Sequence, residues 1–230
     1  MQLNTRTWGD GGKTAVLVHG IMSDSRAWHR AGPRLAALGY RVTAVDLRGH
    51  GASPRGSYHP KDWADDLADT LPGHIDLAIG HSLGAVSLSL AADRLDCDRI
   101  VYSDPAWLAD QLDPPLDPAV FRRFKHATRE QIAALNPRWD DTDIDIELAT
   151  LAVWDDTTVD TVGEATGIGA PAHPRVPSLV QVAEQGFGNR PEPIAAMREG
   201  GLTVRVVPGV GHTIHRDDLD AFFDSMRGWL

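Results

Sequence analysis

The sequence predicts a single α/β domain built on a mostly parallel, doubly wound sheet flanked by helices. Short apolar segments rich in β-branched residues alternate along the chain with longer segments of helical periodicity. The chain has 230 residues, of which 42% are hydrophobic, so one large domain with a substantial core is expected. Neighbouring parallel strands need crossover connections, and the segments between most of the apolar runs are long enough to supply them.

Six strands of a mostly parallel sheet are predicted. The first, Thr14–Val18, is a continuous apolar run of the kind found in sheets covered on both faces. A short strand or hairpin around Gln2–Trp8 is expected before them. The six runs are Thr14–Val18, Tyr40–Val45, Ile75–Ile79, Arg99–Ser103, Ser178–Val182 and Leu202–Val207. The predicted helices around them are Trp28–Leu38, Pro60–Thr70, Leu83–Leu95 and Leu219–Leu230.

One connection is far longer than a crossover helix requires. Residues 105–177 separate the fourth and fifth parallel strands, and acidic residues outnumber basic ones there. The segment contains two helical patterns, Pro118–Leu135 and Ile144–Val153, and many prolines. We interpret it as a helical lid inserted into a core formed by residues 1–104 and 178–230.

Composition narrows the classes of partner and site. The net charge is −10 and no cluster of Lys and Arg is visible, so a nucleic-acid partner is not expected. Cys97 is the only cysteine, which excludes an intrachain disulfide and a Cys-rich zinc site. Met1–Lys13 lacks the apolar segment of a signal peptide, and no apolar run of about 18 residues suggests a membrane span. A cytoplasmic protein without membrane attachment is therefore expected.

The segment Gly80–Gly84 (GHSLG) carries the strongest chemical signal. It follows the apolar run Ile75–Ile79 and opens a helical run, which is the strand–turn–helix setting in which a G-x-S-x-G motif presents a nucleophilic serine. A glycine on each side of the turn is needed, because bulk at either position would collide with the neighbouring strand or helix. The motif predicts Ser82 as a nucleophile whose hydroxyl points out above the sheet edge.

A serine hydroxyl needs a base within hydrogen-bond reach to react at neutral pH. Val210–Thr213 (VGHT) directly follows the last predicted strand, so its loop would reach the same edge of the sheet as Ser82. His212 is therefore the candidate base, with His215 as a rival.

Two backbone N–H groups are expected to form an oxyanion hole. Leu83 offers one from the start of the helix that follows the nucleophile. Ile21 offers the other from the loop after the first parallel strand, where Gly20 lets the backbone approach closely.

Four motifs together resemble the α/β-hydrolase superfamily, in its esterase, proline-iminopeptidase and haloperoxidase-like branch. They are His19-Gly20, Asp46–Gly51 (DLRGHG), Gly80–Gly84 and Gly211-His212, and the resemblance leaves residues 105–177 uncovered. It implies the α/β-hydrolase fold with an eight-stranded, mostly parallel sheet, a Ser–acid–His triad, and neither a metal nor an organic cofactor. It also implies a structural role for Asp46–Gly51. Serine at the nucleophile position disfavours the epoxide hydrolase and dehalogenase branches.

The acid of the triad departs from the usual family pattern. In most such families an Asp follows the penultimate strand in a G-x-x-D arrangement, but here Gly186 stands at that position. Asp104 ends the strand after the nucleophile helix, a position that some family members use. Glu184 lies near the usual position but two residues early, and another carboxylate or none is the remaining alternative. Whichever carboxylate serves as the triad acid would hold the His212 imidazole in the right tautomer and stabilise the imidazolium.

Five residues are candidates for the substrate pocket, each with plain packing as the alternative. Met22 and Trp28 lie near the oxyanion loop, while Trp107, Trp139 and Trp154 lie in the predicted lid. These aromatic residues predict an apolar or aromatic small-molecule substrate, and the acidic lid disfavours polyanions. An exposed apolar lid could also serve as a homodimer contact.

The function predicted from these residues is hydrolysis of a carboxylic ester or lactone through an acyl-enzyme. Amide or carbon–carbon bond hydrolysis uses the same triad and stays open. A ligand-binding or receptor-like protein with a degenerate hydrolase pocket is the alternative outside the enzyme class.

Overall fold

The computed structural model describes residues 1–71, 73–107, 112, 116–186 and 188–230. Within this part of the chain, seven strands form one sheet in the spatial order β1-β3-β2-β4-β5-β6-β7. Only β1 is antiparallel to its neighbour; the other pairs are parallel. The strands are β1 Thr5–Trp8, β2 Lys13–Val18, β3 Tyr40–Val45, β4 Leu77–His81, β5 Ile100–Ser103, β6 Ser178–Ala183 and β7 Thr203–Val207.

The described helices are ten in number, and most of them connect successive strands. They are α1 Ala31–Ala37, α2 Pro60–Thr70, α3 Leu83–Ala91, α4 Pro118–Phe124, α5 Arg129–Leu135, α6 Asp141–Val153, α7 Val162–Thr166, α8 Pro191–Glu199, α9 Ile214–Asp217 and α10 Leu219–Asp224. The predicted α/β class and the mostly parallel sheet are therefore confirmed.

The continuous apolar runs of the central strands are explained by two cores, one on each face of the sheet. In β2, Val16 and Val18 belong to one core, whereas Ala15 and Leu17 belong to the other. Successive side chains of a strand point to opposite faces, so both faces of this strand must be apolar. Helices α2, α3 and α8 contribute to the first core, and α1 and α10 contribute to the second.

The sheet has seven described strands, so the eight-stranded expectation is corrected. The segment before β2 forms one antiparallel strand rather than a hairpin. Its first residues bind helix α2 instead: the amino terminus contacts Asp66 and Asp69, and the Leu3 N–H donates to the Thr70 hydroxyl at 2.9 Å. These contacts take the backbone of the first residues away from the sheet.

Element boundaries differ from prediction mainly where local capping decides them. The α2 boundaries were predicted correctly, and Pro60 with the capping box of His59 and Asp62 explains why this helix begins where it does. Strand β4 lies two residues later than predicted, because Gly80 and His81 still pair with β5. Helices α1, α3 and α10 are shorter than predicted, a 3₁₀ turn (Ser25–Trp28) precedes α1, and α8 was not predicted.

Residues 105–177 connect the adjacent strands β5 and β6, and their described helices α4–α7 have a small core of their own. The predicted helix Pro118–Leu135 is two helices, because Thr128 caps α5 in a capping box with Gln131. Helix α6 begins three residues before its predicted start, where the Asp140 carboxylate accepts from the Asp143 N–H. In the described part of the chain, no helix combines the length and apolarity needed to cross a membrane.

Candidate active site

Ser82 lies at the sharp turn between β4 and α3, as the G-x-S-x-G motif predicts. Its backbone has φ 51° and ψ −114°, and its N–H donates to the Ser103 carbonyl of the next strand at 3.1 Å. The left-handed φ of a residue with a side chain costs on the order of 1–3 kcal/mol. The surrounding strand and helix hold this conformation, which positions the Ser82 side chain at the carboxyl edge of the sheet.

Glycine is required on both sides of this turn because helix and strand approach each other closely. A Cβ on Gly80 would lie 2.6 Å from the Gly84 carbonyl oxygen, and a Cβ on Gly84 would lie 2.3 Å from the Val18 carbonyl oxygen. Both distances are far below a van der Waals contact. The predicted steric role of the two glycines is therefore confirmed.

Three non-glycine residues of the described chain have positive φ, and all three lie around this turn. They are Met22 at 66°, Ser82 at 51° and Asp104 at 40°. Met22 belongs to the loop after β2, Ser82 follows β4 and Asp104 follows β5. Strained backbone concentrated at the ends of three neighbouring strands indicates a functional site.

Asp104 and His212 form a close contact across the sheet edge. The Asp104 Oδ2 lies 2.6 Å from Nδ1 of His212, and Oδ1 accepts from the Ala183 N–H at 2.9 Å. Asp104 is buried, whereas the His212 side chain is partly exposed. A carboxylate bound to Nδ1 leaves Nε2 as the nitrogen that can accept a proton. Of the two candidate acids, Asp104 is the one that contacts His212.

The glycine at the usual acid position explains how Asp104 fits. A Cβ on Gly186 would lie 2.3 Å from the Asp104 Oδ2 and 2.6 Å from its Oδ1. The carboxylate of Asp104 thus fills the space into which a side chain at position 186 would extend. Glu184 is exposed and points to the turn after β7, where its Oε2 accepts from the Gly209 N–H at 2.8 Å.

The two proposed oxyanion donors lie on either side of Ser82. Leu83 is the first residue of α3, whose initial N–H groups have no partner within the helix. Ile21 lies in the loop after β2, and both residues line the same cavity as Ser82. A Cβ on Gly20 would lie 2.9 Å from Nδ1 of His81 and 3.1 Å from Cβ of Ser82, so a glycine lets this loop approach the nucleophile.

Burial opposes protonation of three neighbouring histidines. Burial lowers the pKa of His19 and lowers the pKa values of His81 and His215 well below their usual range. His19 accepts the Leu47 N–H at its Nε2, which fixes the loop that carries Ile21. His81 contacts the His212 carbonyl at 2.9 Å, and thus supports the loop that carries the base.

A cavity of about 140 Å³ opens above Ser82 and His212. The body contributes Ile21, Met22 and Leu83 to its lining. Residues 105–177 contribute the opposite wall, which includes Phe121, Trp139, Glu147 and Val162. A mostly apolar cavity with a few polar groups suits a small organic ligand.

Two of the five predicted pocket residues, Met22 and Trp139, line this cavity. The structure corrects the prediction for the other three, which are buried in cores. Trp28 stacks on His215 with ring centroids 4.1 Å apart, and Trp107 packs on Tyr102. Trp154 lies in the core of the 105–177 segment and donates to the Thr158 hydroxyl at 2.7 Å.

Sequence reasoning missed the polar part of the cavity wall, Glu147 and Arg216. Arg216 follows the rival base His215, which lies beneath the cavity against Trp28. Neither Glu147 nor Arg216 belongs to a recognisable motif. Only the helical spacing that places Glu147 one turn after Asp143 could have suggested a shared partner.

The turn Asp46–Gly51 is structural in this protein. The Asp46 carboxylate accepts backbone N–H groups of Ser25 and Ala52, and Arg48 forms a buried ion pair with Asp66. Burial opposes ionisation of Asp46, but these hydrogen bonds outweigh it and lower its pKa.

Among the described residues, one group outside the cavity could hold a metal ion. His74, Asp76 and Asp98 place potential ligand atoms within 4.8 Å of one another near the start of β4, at the opposite end of this strand from Ser82. The His74 nitrogens already face Asp96 and Asp98. These three residues therefore lie too far from Ser82 to contact a substrate bound there.

Comparison with known proteins agrees with this architecture. The model of the alpha/beta hydrolase family matches residues 15–225. A rice (Oryza sativa subsp. indica) protein named "Probable esterase PIR7A" is 39% identical over 92 residues, which are 37% of this chain and 35% of the relative. The pimeloyl-[acyl-carrier protein] methyl ester esterase of Yersinia pseudotuberculosis is 34% identical over 130 residues, 54% of this chain and 50% of the relative. The matches thus span about a third to a half of these relatives.

Among solved structures, an N-formylmaleamic acid deformylase from Pseudomonas putida superposes with a TM-score of 0.83 at 26% identity. The superposition covers 96% of this chain and 94% of the deformylase. It therefore includes most of the segment 105–177, for which the sequence showed no resemblance.

Proposed function

This chain belongs to the alpha/beta hydrolase family, and we propose that it is a serine hydrolase that cleaves carboxylic esters or lactones of small apolar molecules. The observation that carries the proposal is the contact of Asp104 with Nδ1 of His212, 2.6 Å long, beside the strained turn of Ser82. Esterase relatives that match parts of the chain support an ester as the substrate.

In the proposed mechanism, the Ser82 hydroxyl attacks the carbonyl carbon of the ester while His212 takes its proton at Nε2. The negative charge that develops on the carbonyl oxygen is stabilised by the N–H groups of Ile21 and Leu83. His212 then donates the proton to the leaving alcohol, and an acyl group remains on Ser82. A water molecule, deprotonated by His212, attacks the acyl group. His212 then returns that proton to the Ser82 oxygen as the acid leaves, which restores the starting enzyme.

Asp104 has two effects in this mechanism. Its contact with Nδ1 fixes the tautomer and the orientation of the His212 ring. Its negative charge also stabilises the imidazolium during each proton transfer. The second hydrogen bond, from the Ala183 N–H, fixes the carboxylate itself, so the imidazole has a rigid partner.

Residues 105–177 would act as a lid in this proposal. They supply the wall opposite Ile21 and Leu83, and they would shield the acyl-enzyme from bulk water. Phe121 and Val162 give this wall an apolar surface, which favours an apolar acyl or alcohol group.

Hydrolysis of an amide is a second candidate. The structure with TM-score 0.83, 26% identical to this chain, is of a deformylase, which its name describes as acting on N-formylmaleamic acid. An amide would use the same attack and the same oxyanion site, so the two candidates differ only in the leaving group.

The test is labelling with a fluorophosphonate probe together with turnover of p-nitrophenyl acetate and p-nitroacetanilide. We expect labelling of Ser82, ester turnover, and a loss of both in Ser82→Ala by about a millionfold or to background. Ser89→Ala is the matched control, since Ser89 lies on the same helix and binds the Val86 carbonyl.

Full ester turnover by Ser82→Ala would contradict the proposal. Faster cleavage of the anilide than of the ester would instead favour the amide candidate.

A further inference from the structure

Glu147 and Arg216 form an ion pair at the wall of the cavity above Ser82. Glu147 lies on α6, and Arg216 lies on α9, shortly after His212. The Arg216 Nη1 donates to Glu147 Oε2 at 2.5 Å, and the guanidinium lies 3.5 Å from the centroid of the Trp139 ring. Both charged residues border the cavity. An ion pair on this mostly apolar wall offers a charged group to a ligand.

Two carboxylates of α6 contact Arg216, and they differ in one respect. Asp143 is fully buried: its Oδ1 accepts from Arg216 Nε at 3.0 Å and its Oδ2 from Arg30 Nη1 at 3.1 Å. Glu147 keeps 12% of its side chain exposed, and only its Oε2 has a hydrogen-bond donor among the described residues. Asp143 is therefore a structural partner, whereas Glu147 retains an acceptor oxygen for a ligand.

The charge around this oxygen decides which ligand it suits. Arg216 is only 2% exposed, so a ligand meets the carboxylate of Glu147 rather than the guanidinium. An anionic ligand group would be repelled. The carboxylates of Asp143 and Glu147 already face the guanidiniums of Arg30 and Arg216. The negative charge of these two carboxylates is therefore largely compensated, and less of it remains to offset the cost of desolvating an ammonium group.

Burial raises the pKa of Glu147, while its contact with Arg216 opposes that shift. The ion pair thus keeps an acceptor at this position that a neutral donor can reach at little desolvation cost. A hydroxyl group is such a donor.

We propose that Glu147 is a specificity-determining residue that binds a neutral hydrogen-bond donor, a hydroxyl, on an otherwise apolar substrate. This inference rests on the proposed hydrolase function and names its substrate class: esters of hydroxylated apolar acids or alcohols. The hydroxyl lies away from the ester and donates to Glu147 Oε1, while the apolar chain lies along Phe121 and Val162.

The test compares methyl esters of equal chain length that differ only in the terminal group. They are methyl hexanoate, methyl ω-hydroxyhexanoate, methyl ω-aminohexanoate and monomethyl adipate, with the corresponding butanoates and octanoates to vary reach. Hydrolysis is followed by pH-stat. In at least one chain length, we expect kcat/KM for the hydroxy ester to exceed that of the unsubstituted ester by about tenfold, chiefly through KM.

The variants Glu147→Gln and Glu147→Met test the residue itself. The readout is the kcat/KM of the hydroxy ester divided by that of the unsubstituted ester within each variant. This ratio cancels any change that affects both substrates equally. We expect the ratio to fall to about one or below in Glu147→Met, which removes the acceptor, and to fall to a smaller extent in Glu147→Gln, whose neutral amide can still bind a hydroxyl. Asp145→Asn is the matched control, because Asp145 lies on the same helix and pairs with Arg129 on the surface; its ratio should equal that of the wild type.

Binding of the same esters to Ser82→Ala, measured by calorimetry, separates this inference from the proposed function. Ester hydrolysis without a hydroxyl preference, or with a preference for the amine or the second carboxylate, would overturn the inference alone. Absence of hydrolysis combined with tighter binding of the hydroxy ester would overturn the proposed function alone.

Discussion

The sheet body (residues 1–104 and 178–230) and the inserted segment (residues 105–177) contribute different parts of the same cavity. Ser82, Asp104 and His212 all follow strands of the body, at one edge of the sheet. The inserted segment contributes cavity wall, including Trp139 and Glu147. The groups proposed for bond cleavage thus lie at the ends of strands, while Glu147 lies on helix α6 and Trp139 lies in the loop before it.

This difference has a physical basis in packing. In the body, helix α3 approaches β2 so closely that Gly84 has no room for a side chain. In the inserted segment, a Cβ on Gly163 of α7 would meet no atom within 4 Å. Gly84 thus lies in a close contact beside the strained turn of Ser82, whereas Gly163 lies beside open space.

Alanine substitution at these two glycines tests that contrast and has the largest expected effect on stability. Gly84→Ala should destabilise the protein by about 3 kcal/mol, which lowers Tm by about 6–12 °C, because its Cβ would collide with backbone oxygens of Val18 and His19. Gly163→Ala should shift Tm by at most about 2 °C, since alanine favours helix and has space. Differential scanning calorimetry measures the Tm of both variants. Equal decreases in Tm would contradict the proposed difference in packing.

The two regions meet at Asp217, where we expect a substitution to have a smaller effect, seen in kcat. Its Oδ2 accepts from the Gly211 N–H at 2.7 Å, next to His212, and its Oδ1 accepts from the Trp139 Nε1–H at 2.9 Å. Asp217→Asn leaves one of these donors facing an amide N–H, which costs about 1–2 kcal/mol. We expect kcat to fall by about tenfold, measured by steady-state kinetics.

Trp139→Phe is the matched variant at this junction. It removes the indole N–H but keeps a ring beneath Arg216, so the Gly211 contact survives. We therefore expect a change in KM with kcat nearly preserved. If instead Trp139→Phe lowers kcat and Asp217→Asn does not, the inserted segment rather than the body positions His212.

Most features of the body were predictable because they depend on neighbours in sequence. A strand covered on both faces must be apolar throughout, which locates β2 and β3 from their residues alone. The motif around Ser82 needs small residues at fixed spacing, so Gly80 and Gly84 are visible in the sequence. The Asp104 alternative could be stated, because a carboxylate directly follows an apolar run.

The inserted segment was predicted only in outline, because its contacts join residues far apart in sequence. Nothing local distinguishes Trp139, which lines the cavity, from Trp154, which is buried against Thr158. The pairing of Glu147 with Arg216 spans 69 positions and has no motif. The choice between Asp104 and Glu184 was also non-local, since it depends on which carboxylate reaches His212.

The central claim is that Asp104 takes the place of the usual triad acid, in the space that Gly186 leaves free. The most direct measurement is kcat/KM of Asp104→Asn on p-nitrophenyl acetate, with Glu184→Gln as its matched control. Asn tolerates the left-handed backbone of position 104, so the geometry should survive while the charge is lost. We predict a fall of about a thousandfold to ten-thousandfold in Asp104→Asn and a change of less than about twofold in Glu184→Gln. Wild-type activity in Asp104→Asn, or an equal loss in Glu184→Gln, would contradict the account.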